Sequence, residues 1–302
     1  MRATPFRAGP VRVRVPATSA NLGPAFDCAG LALALYDEVV VRVASAGLTV
    51  DVAGQGSRSL PRDGRHLVVS ALRATFDQLG GQPPGLEVAC TNRIPQSRGL
   101  GSSSAAIVAA VRAARALVLD EDLDPAACLG LAAAIEGHPD NVAACLLGGF
   151  TLAWTDADGV HAHRAEVHAS ILPVVFVPTA TSSTQKVRGL LPDVVPHTDA
   201  ARSVGRGALL SLALTSEPSL LLAATKDWLH QPYRAEAMPR TAALVEQLRA
   251  DGVPAVVSGA GSSVLALVTT GGAAAVAGRA PEGWTVLPLR VDAAGAVLLP
   301  SS

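Results

Sequence analysis

A glycine- and serine-rich segment that runs directly into a long apolar stretch constrains this chain more than any other feature. The residues Arg98-Gly-Leu-Gly-Ser-Ser-Ser-Ala105 precede the alanine-rich residues 106–119. Glycines permit a tightly bent backbone, so the pattern predicts a loop whose N–H groups converge where a helix begins. These amides and the positive end of the helix dipole favour a bound anion. The segment therefore predicts a phosphate site, and its serine hydroxyls can contact phosphate oxygens or a divalent cation.

The same residues also fit a flexible turn in which Ser102 is an ordinary helix N-cap. Two common nucleotide motifs are excluded, because no lysine follows Gly101 and no third glycine stands three residues later. A nucleotide bound at this loop would therefore require a different fold. The segment alone leaves both interpretations open.

Composition narrows the class of partner. The chain has 302 residues, of which 49% are apolar and 16% are charged. These values are typical of a globular protein with one large domain or two smaller ones. The net charge of −1 argues against a nucleic acid or an acidic membrane as partner, because both select a basic surface. A small-molecule substrate is therefore expected.

The sequence shows no clear secretory or membrane-spanning segment and no cysteine pattern typical of a redox or metal site. The first fifteen residues contain arginines but no apolar secretory core, and polar residues and a proline interrupt the most apolar region, 208–225. We therefore expect no membrane partner and a cytoplasmic location. The cysteines form no C-x-x-C pair and show no metal-ligand spacing, which predicts reduced, buried thiols at Cys28, Cys90, Cys128 and Cys145.

Alternation and helical spacing divide the chain into two mixed halves. The first half contains predicted helices at 65–80, 106–119 and 124–135 and predicted strands at 11–15, 36–43, 48–52, 86–92 and 150–154. The second half contains predicted helices at 200–214, 218–230 and 241–250 and predicted strands at 171–177, 254–258, 264–269 and 284–291. These elements indicate an α+β protein. The turn at residues 155–159 sets the expected domains at 1–158 and 159–302.

Four ordered segments carry the small and polar residues that binding requires. They are Pro16-Ala-Thr-Ser-Ala-Asn-Leu-Gly-Pro-Ala-Phe-Asp-Cys-Ala-Gly30, the glycine-serine segment from Ile94 to Ala105, Glu136-Gly-His-Pro-Asp-Asn-Val142 and Ser258-Gly-Ala-Gly-Ser-Ser-Val264. Together they resemble the motifs of the GHMP small-molecule kinases, and the first is close to the form found in homoserine kinases. The resemblance implies a two-lobed fold and a homodimer. Its N-terminal lobe would be ribosomal-protein-S5-domain-2-like with a left-handed β-α-β crossover, and its C-terminal lobe ferredoxin-like.

The resemblance also implies an activity, the transfer of the ATP γ-phosphoryl group to the side-chain hydroxyl of L-homoserine, a step of threonine biosynthesis. Mg²⁺ would be held by Ser103 and Glu136, in agreement with the preference of a hard cation for oxygen ligands. Alternatively, Glu136 is a solvated carboxylate at a helix end. The nucleotide contacts carried over from the family are Pro95, Arg98, Gly99, Leu100, Gly101, Ser102, Ser103, Ser104, Gly259 and Gly261, with His66 near the adenine.

In homoserine kinases the amino-acid end of the substrate is held by residues that match Asn21, Asp27, Asp140, Asn141, Thr184, Arg188 and Arg234. Carboxylates suit the ammonium group, and arginines suit the carboxylate through paired hydrogen bonds. Among these residues, the resemblance assigns catalytic roles to Asn141, Asn21 and Arg188. Because the amide of Asn141 cannot accept a proton, we hypothesise that positioning and charge stabilisation drive the transfer. His138, next to Pro139, is interpreted as a loop-structuring residue and not as a base.

Two alternatives stay open. One is a GHMP kinase for another small alcohol, of the mevalonate or diphosphocytidyl-polyol type, and the other is a non-catalytic regulator that binds a nucleotide. Ser262 and Ser263 replace the Pro-Thr that is usual in the last segment. His66 stands where asparagine is frequent, and Ser97 where glycine is frequent. These departures are expected to alter nucleotide affinity.

Overall fold

The computed structural model describes residues 5–119, 124–180 and 187–300. Its strands are β1 (Val11–Ala20), β2 (Ala29–Ala44), β3 (Gly47–Gly54), β4 (Gly85–Asn92), β5 (Phe150–Asp156), β6 (Gly159–Ala165), β7 (Ile171–Val177), β8 (Ala255–Val257), β9 (Val264–Thr269), β10 (Thr285–Pro288) and β11 (Val297–Leu299). Its helices are α1 (Leu67–Gln78), α2 (Ser102–Leu117), α3 (Pro125–Glu136), α4 (Asp140–Leu147), α5 (His197–Thr215), α6 (Leu221–Ala224), α7 (Gln231–Arg234), α8 (Pro239–Ala250) and α9 (Ala273–Ala277). The predicted α+β class is confirmed.

Two sheets organise these elements. The first contains seven strands in the order β11-β1-β2-β4-β3, with β5 paired to β2 and β6 paired to β5. Within it, β3, α1 and β4 form a β-α-β unit, because β3 and β4 pair in parallel. The second sheet has the antiparallel order β10-β7-β9-β8. With α5 after β7 and α9 after β9, that order is the ferredoxin-like arrangement expected for the C-terminal lobe.

The predicted end of the first strand at Pro16 is wrong. Strand β1 continues to Ala20, and its pairing with β2 shifts register between Pro16 and Ala17. A proline cannot donate to a ladder, and an irregular register removes the need for that donor. Strand β2 likewise begins at Ala29 and not at residue 36. These extensions carry residues 17–35, which include the first motif, to the centre of the molecule.

The helix predicted at 218–230 is broken. A short turn, Pro218–Leu220, leads into α6, and the chain then bends before α7. At the bend the carboxylate of Asp227 accepts hydrogen bonds from the backbone N–H groups of Leu229, His230 and Gln231. An aspartate that caps backbone amides in this way competes with a continuous helix. The bend directs His230 and α7 toward the first motif.

The expected domain boundary at 158 lies in the turn between β5 and β6. These two strands pair along their whole length in the first sheet, and β11 returns from the end of the chain to pair with β1. The first sheet thus includes strands from both sides of residue 158. The division into domains 1–158 and 159–302 stays a prediction.

A continuous apolar core joins the two lobes. Leu210 and Leu214 of α5 and Leu265 of β9 are fully buried in the same cluster as the side chains beneath the first sheet. Burial of apolar surface stabilises this arrangement and holds the cleft between the lobes in one geometry. All four cysteines are free, and three of them are buried. No helix in the described ranges is long and apolar enough to cross a bilayer.

Candidate functional site

The glycine-serine loop lines a cleft of about 370 Å³. Gly101 is the N-cap of the sixteen-residue helix α2, with a left-handed φ of 67° and no side-chain cap. The interpretation of Ser102 as an ordinary N-cap is therefore wrong. The residues at the start of α2 border the cleft together with residues from all the other motifs, and the lining comprises Ala20, Asn21, Asp27, Ser97, Gly99, Leu100, Gly101, Ser102, Ser103, Ser104, Glu136, His138, Asp140, Asn141, Arg188, Arg234, Gly259 and Ala260.

The loop is fastened on two sides. The backbone N–H of Thr18 donates to the carbonyl of Leu100 at 3.1 Å, which ties the loop to β1. The hydroxyl of Ser258 donates to the carbonyl of Gly99 at 2.6 Å, which ties it to the last motif. The residues at the start of α2 line the cleft, and because the first amides of a helix have no partner within it, they are available to an anion there. The role of Ser258 escaped prediction, although it lies inside a recognised motif.

Glu136 joins two of the loop serines. Ser103 Oγ and Ser104 Oγ each donate to its carboxylate at 2.8 Å. Glu136 is the last residue of α3, where the helix dipole disfavours a negative charge. The alternative of a merely solvated carboxylate does not describe a half-buried group with two serine partners. Carboxylate and hydroxyl oxygens at one point form a donor set that suits Mg²⁺.

A second group of charges lines the same cleft. Arg188 donates to both oxygens of Asp27, at 2.7 and 2.8 Å, and this carboxylate raises the pKa of Arg188. Arg234 is 2% exposed and still borders the cleft, and burial lowers its pKa. The guanidinium carbons of both arginines lie about equally far from the ring centroid of Phe26, at 5.5 and 5.4 Å. Phe26 is a neighbour that sequence reasoning missed.

The asparagines are held by internal hydrogen bonds. Asn141 Oδ1 accepts from Thr18 Oγ1 at 2.7 Å, and its Nδ2 donates to Asp140 at 3.2 Å. Asn21 Oδ1 accepts from the backbone N–H of Asp27 at 2.9 Å, and its Nδ2 donates to the carbonyl of Gly259 at 3.0 Å. Each amide is thus fixed in one orientation. Thr18, like Ser258, is a motif residue whose role sequence reasoning did not identify.

Asp140 organises the segment before α4. Its Oδ1 accepts from the backbone N–H of Asn141 at 2.5 Å and lies 2.8 Å from His138 Nδ1. This hydrogen bond is the main cause of the raised pKa of His138, which burial opposes. The pairing agrees with a loop-structuring role for His138.

The raised pKa of His138 predicts a pH-dependent contribution to stability. A raised folded-state pKa stabilises fully below the unfolded value of about 6.5 and loses its effect as pH rises through the folded value. We therefore expect His138→Gln to lower the free energy of unfolding more at about pH 5.5 than at about pH 9. Urea unfolding at the two pH values measures this. An equal loss at both would contradict the prediction.

A second cleft of about 200 Å³ adjoins the first, and the two share Ser97, Ser102 and Ser103. His66 lines this second cleft with 3% exposure, and among the residues that the structure describes neither of its ring nitrogens has a hydrogen-bond partner. Burial lowers the pKa of His66. Buried nitrogens without partners are costly, so a ligand that hydrogen-bonds them would be stabilised.

Of the sequence-predicted residues that the structure describes, three do not line either cleft. Arg98 donates to the carbonyls of Gln96, Pro178 and Thr179, and so ties the loop to the end of β7. Pro95 and Gly261 lie outside both linings. Thr184 is outside the described residues.

The sequence matches known protein families and known proteins along most of its length. Residues 66–149 match the family model for the GHMP kinases N terminal domain, and residues 206–285 match the model for GHMP kinases C terminal. The chain is 62% identical to a homoserine kinase of Streptomyces avermitilis, over 98% of this chain and 97% of that protein. It is 52% identical to a homoserine kinase of Clavibacter michiganensis, over 95% of this chain and 93% of that protein.

Solved structures of related kinases have the same fold as this chain. A crystal structure of homoserine kinase from Cytophaga hutchinsonii superposes with a TM-score of 0.86 at 25% identity, covering 99% of this chain and 100% of that one. L. major mevalonate kinase, solved with R-mevalonate, has a TM-score of 0.69 at 17% identity, covering 96% of this chain and 98% of that one. The latter likeness concerns the fold alone.

Proposed function

Because the chain belongs to the homoserine kinases of the GHMP kinase family, it phosphorylates L-homoserine with ATP in threonine biosynthesis, and we propose that its central cleft is where this occurs. One observation carries the proposal. The amides at the start of α2 and the charged groups Asp27, Arg188 and Arg234 line the same cleft. A polyanion and a small zwitterion can therefore meet there.

The triphosphate of ATP would lie against residues 99–104, where N–H groups and the dipole of α2 stabilise negative charge. Its base would extend into the second cleft, where His66 offers one donor and one acceptor in its neutral form. Pro95, Arg98 and Gly261 would support the nucleotide site from behind. Among them, Arg98 holds the loop through its hydrogen bonds to backbone carbonyls.

Ser103 and Glu136 would hold Mg²⁺, and their oxygens fit a hard cation. The ion would neutralise charge on the phosphates. To bind Mg²⁺, the Ser103 hydroxyl would turn away from Glu136. Ser104 would keep the carboxylate oriented through its own hydrogen bond.

The amino-acid end of homoserine would lie against the charged residues that line the cleft. The carboxylates of Asp27 and Asp140 suit its ammonium group, and the guanidinium groups of Arg188 and Arg234 suit its carboxylate. Asp27 and Arg188 satisfy one another in the protein itself, so a bound zwitterion would share their charges. Thr184 remains proposed as a further substrate contact.

For the chemical step we propose catalysis by positioning and charge stabilisation. Asn141 and Asn21 are held in single orientations, and neither amide can accept the hydroxyl proton. With Arg188 they would align the hydroxyl for an in-line attack, and the loop amides would stabilise the charge on the transferred group. The hydroxyl proton would leave late, to a phosphate oxygen or to water.

A substrate panel tests the proposed function. Purified protein with Mg²⁺ and ATP is offered homoserine, mevalonate, galactose and serine, and release of ADP is followed. We expect turnover with homoserine at least about 100-fold above that with mevalonate and galactose, because a site built for an ammonium group and a carboxylate rejects alcohols that lack this pair. Serine carries both charges and is one methylene shorter, so we expect a smaller preference for homoserine over serine, of about 10-fold or more. Activity confined to mevalonate or a polyol would contradict the assignment.

We also propose that the protein is a cytoplasmic homodimer. Light scattering of the purified protein would measure its mass and so test the number of subunits.

A further inference from the structure

His230 lies between two parts of the proposed homoserine site and is fully buried. Its Nε2 lies 2.8 Å from the carbonyl oxygen of Gly23, and its Nδ1 lies 3.1 Å from a terminal nitrogen of Arg234. A carbonyl only accepts and a guanidinium only donates. Nε2 must therefore carry the proton, and Nδ1 must present its lone pair. The two partners select one neutral tautomer, in agreement with the effect of burial, which lowers the pKa of His230.

The guanidinium of Arg234 depends on this imidazole for its orientation. Within the described residues, its side-chain hydrogen bond is the one to His230, and its buried Nε has no partner. Its guanidinium carbon lies over the ring of Phe26, 5.4 Å from the centroid, a contact that does not fix the directions of the N–H groups. His230 supplies the directional contact that fixes which nitrogens point into the cleft.

His230 is itself held from several sides. Its backbone N–H donates to Asp227 at 3.2 Å, and its ring lies 5.2 Å from the ring of Phe26. The carboxylate of Asp227 is also 3.4 Å from Nε2. Groups that face the imidazole are thus fixed before any substrate arrives. This preorganisation distinguishes His230 from a side chain that merely fills space.

Gly23 belongs to the loop that carries Asn21 and Asp27, so the imidazole connects this loop to Arg234. We infer that His230 is a positioning residue that sets Arg234 relative to the Asp27 loop, and thereby matches the pocket to the span of an α-amino acid. This inference rests on the proposed function of the cleft. It assigns to His230 no contact with the substrate or with ATP.

Three variants test the inference. His230→Leu removes both hydrogen bonds, His230→Asn retains an acceptor near the position of Nδ1, and His230→Gln retains a donor near the position of Nε2. We expect His230→Leu to raise the KM for homoserine about 10- to 100-fold and the KM for ATP less than about twofold. In His230→Asn the increase in the KM for homoserine should be at most half as large on a logarithmic scale. His163→Asn, on the exposed face of β6, is the matched control and should leave all constants unchanged.

A double-variant cycle separates positioning from general support of the fold. If His230 acts through Arg234, then His230→Leu should change the KM for homoserine less than about twofold in an Arg234→Ala background. If His230→Leu changes this KM as much in the Arg234→Ala background as it does in the wild-type background, the inference is overturned. So would equal effects of His230→Asn and His230→Leu. If His230→Leu fails to fold, the comparison of His230→Asn with His230→Gln decides, and the inference requires the lower KM in His230→Asn.

Failure of the proposed function has a different signature. In that case the wild type would not use homoserine, or Arg234→Ala would leave the KM for homoserine unchanged. The inference about His230 fails alone when Arg234→Ala raises that KM and His230→Leu does not. Each result is read from the same steady-state assay with homoserine and ATP varied separately.

Discussion

Replacing Glu136 with glutamine is expected to lower kcat about 100- to 1,000-fold while changing the KM for homoserine less than about threefold. Glutamine keeps the size of the side chain and an oxygen that can accept from Ser104, but it removes the negative charge. In the proposed site that charge balances Mg²⁺, so its loss weakens charge neutralisation in the transition state more than it weakens substrate binding. We also expect a higher Mg²⁺ concentration for half-maximal rate.

Glu217→Gln is the matched control, because Glu217 is an exposed carboxylate that follows α5. It should leave kcat and the Mg²⁺ dependence unchanged. Wild-type kcat in Glu136→Gln at every Mg²⁺ concentration would show that the carboxylate has no part in the reaction. Ser103→Ala extends the test, since loss of a neutral ligand should raise the Mg²⁺ requirement by less than loss of the charged one.

Replacing Gly99 with alanine is expected to lower kcat/KM at least about 100-fold. Gly99 has a φ of 72°, and a Cβ at this position would overlap the backbone carbonyl oxygen of Ser258 and approach that of Gly261 to 2.8 Å. Backbone atoms cannot rotate away as a side chain can. The loop must therefore move, and its amides would leave the positions from which they face the phosphates.

Gly47→Ala separates this effect from simple backbone strain. Gly47 has a similar φ of 78° at the start of β3, but a Cβ there would meet nothing within 4 Å. We expect it to lower the free energy of unfolding by about 1–2 kcal/mol without loss of activity. Gly99→Ala should lower it by about 2–5 kcal/mol, because overlap adds to the strain. Equal unfolding energies and full activity in both variants would contradict the proposed contact. Urea unfolding and steady-state kinetics provide the two measurements.

Local pattern located most of the elements, and its errors have a common cause. A strand was expected to end at Pro16, yet β1 continues because β2 lies beside it and accommodates an irregular register. A single helix was expected over 218–230, yet Asp227 caps three amides and bends the chain. In both places a contact to a neighbouring element or a side-chain cap overrode the local preference. Helix α4, which begins at Asp140, was absent from the pattern-based elements, although its first three residues were recognised as part of a motif.

For the candidate site, the four motif segments contain most of the residues that line the first cleft but fewer than half of those that line the second. The segments include Thr18, Phe26 and Ser258, but sequence reasoning gave these residues no role, and it gave none to His230, which lies outside the segments. Asparagine, serine and arginine carry their chemistry wherever they occur, so a motif can name them. A residue that acts by orienting another one is recognised only when the two are seen together.

What the amino-acid sequence determined by itself is the chemistry that each segment can offer. Glycines at 99 and 101 permit the bent loop, alanines after it form α2, and the charged residues at 27, 140, 188 and 234 suit a zwitterion. Only the tertiary structure decided which of these groups meet. Asp27 and Arg188 are 161 residues apart in sequence, and Gly23 and His230 are 207 apart. Such pairs form because burial of a shared apolar core closes long loops, a global balance that local sequence does not encode.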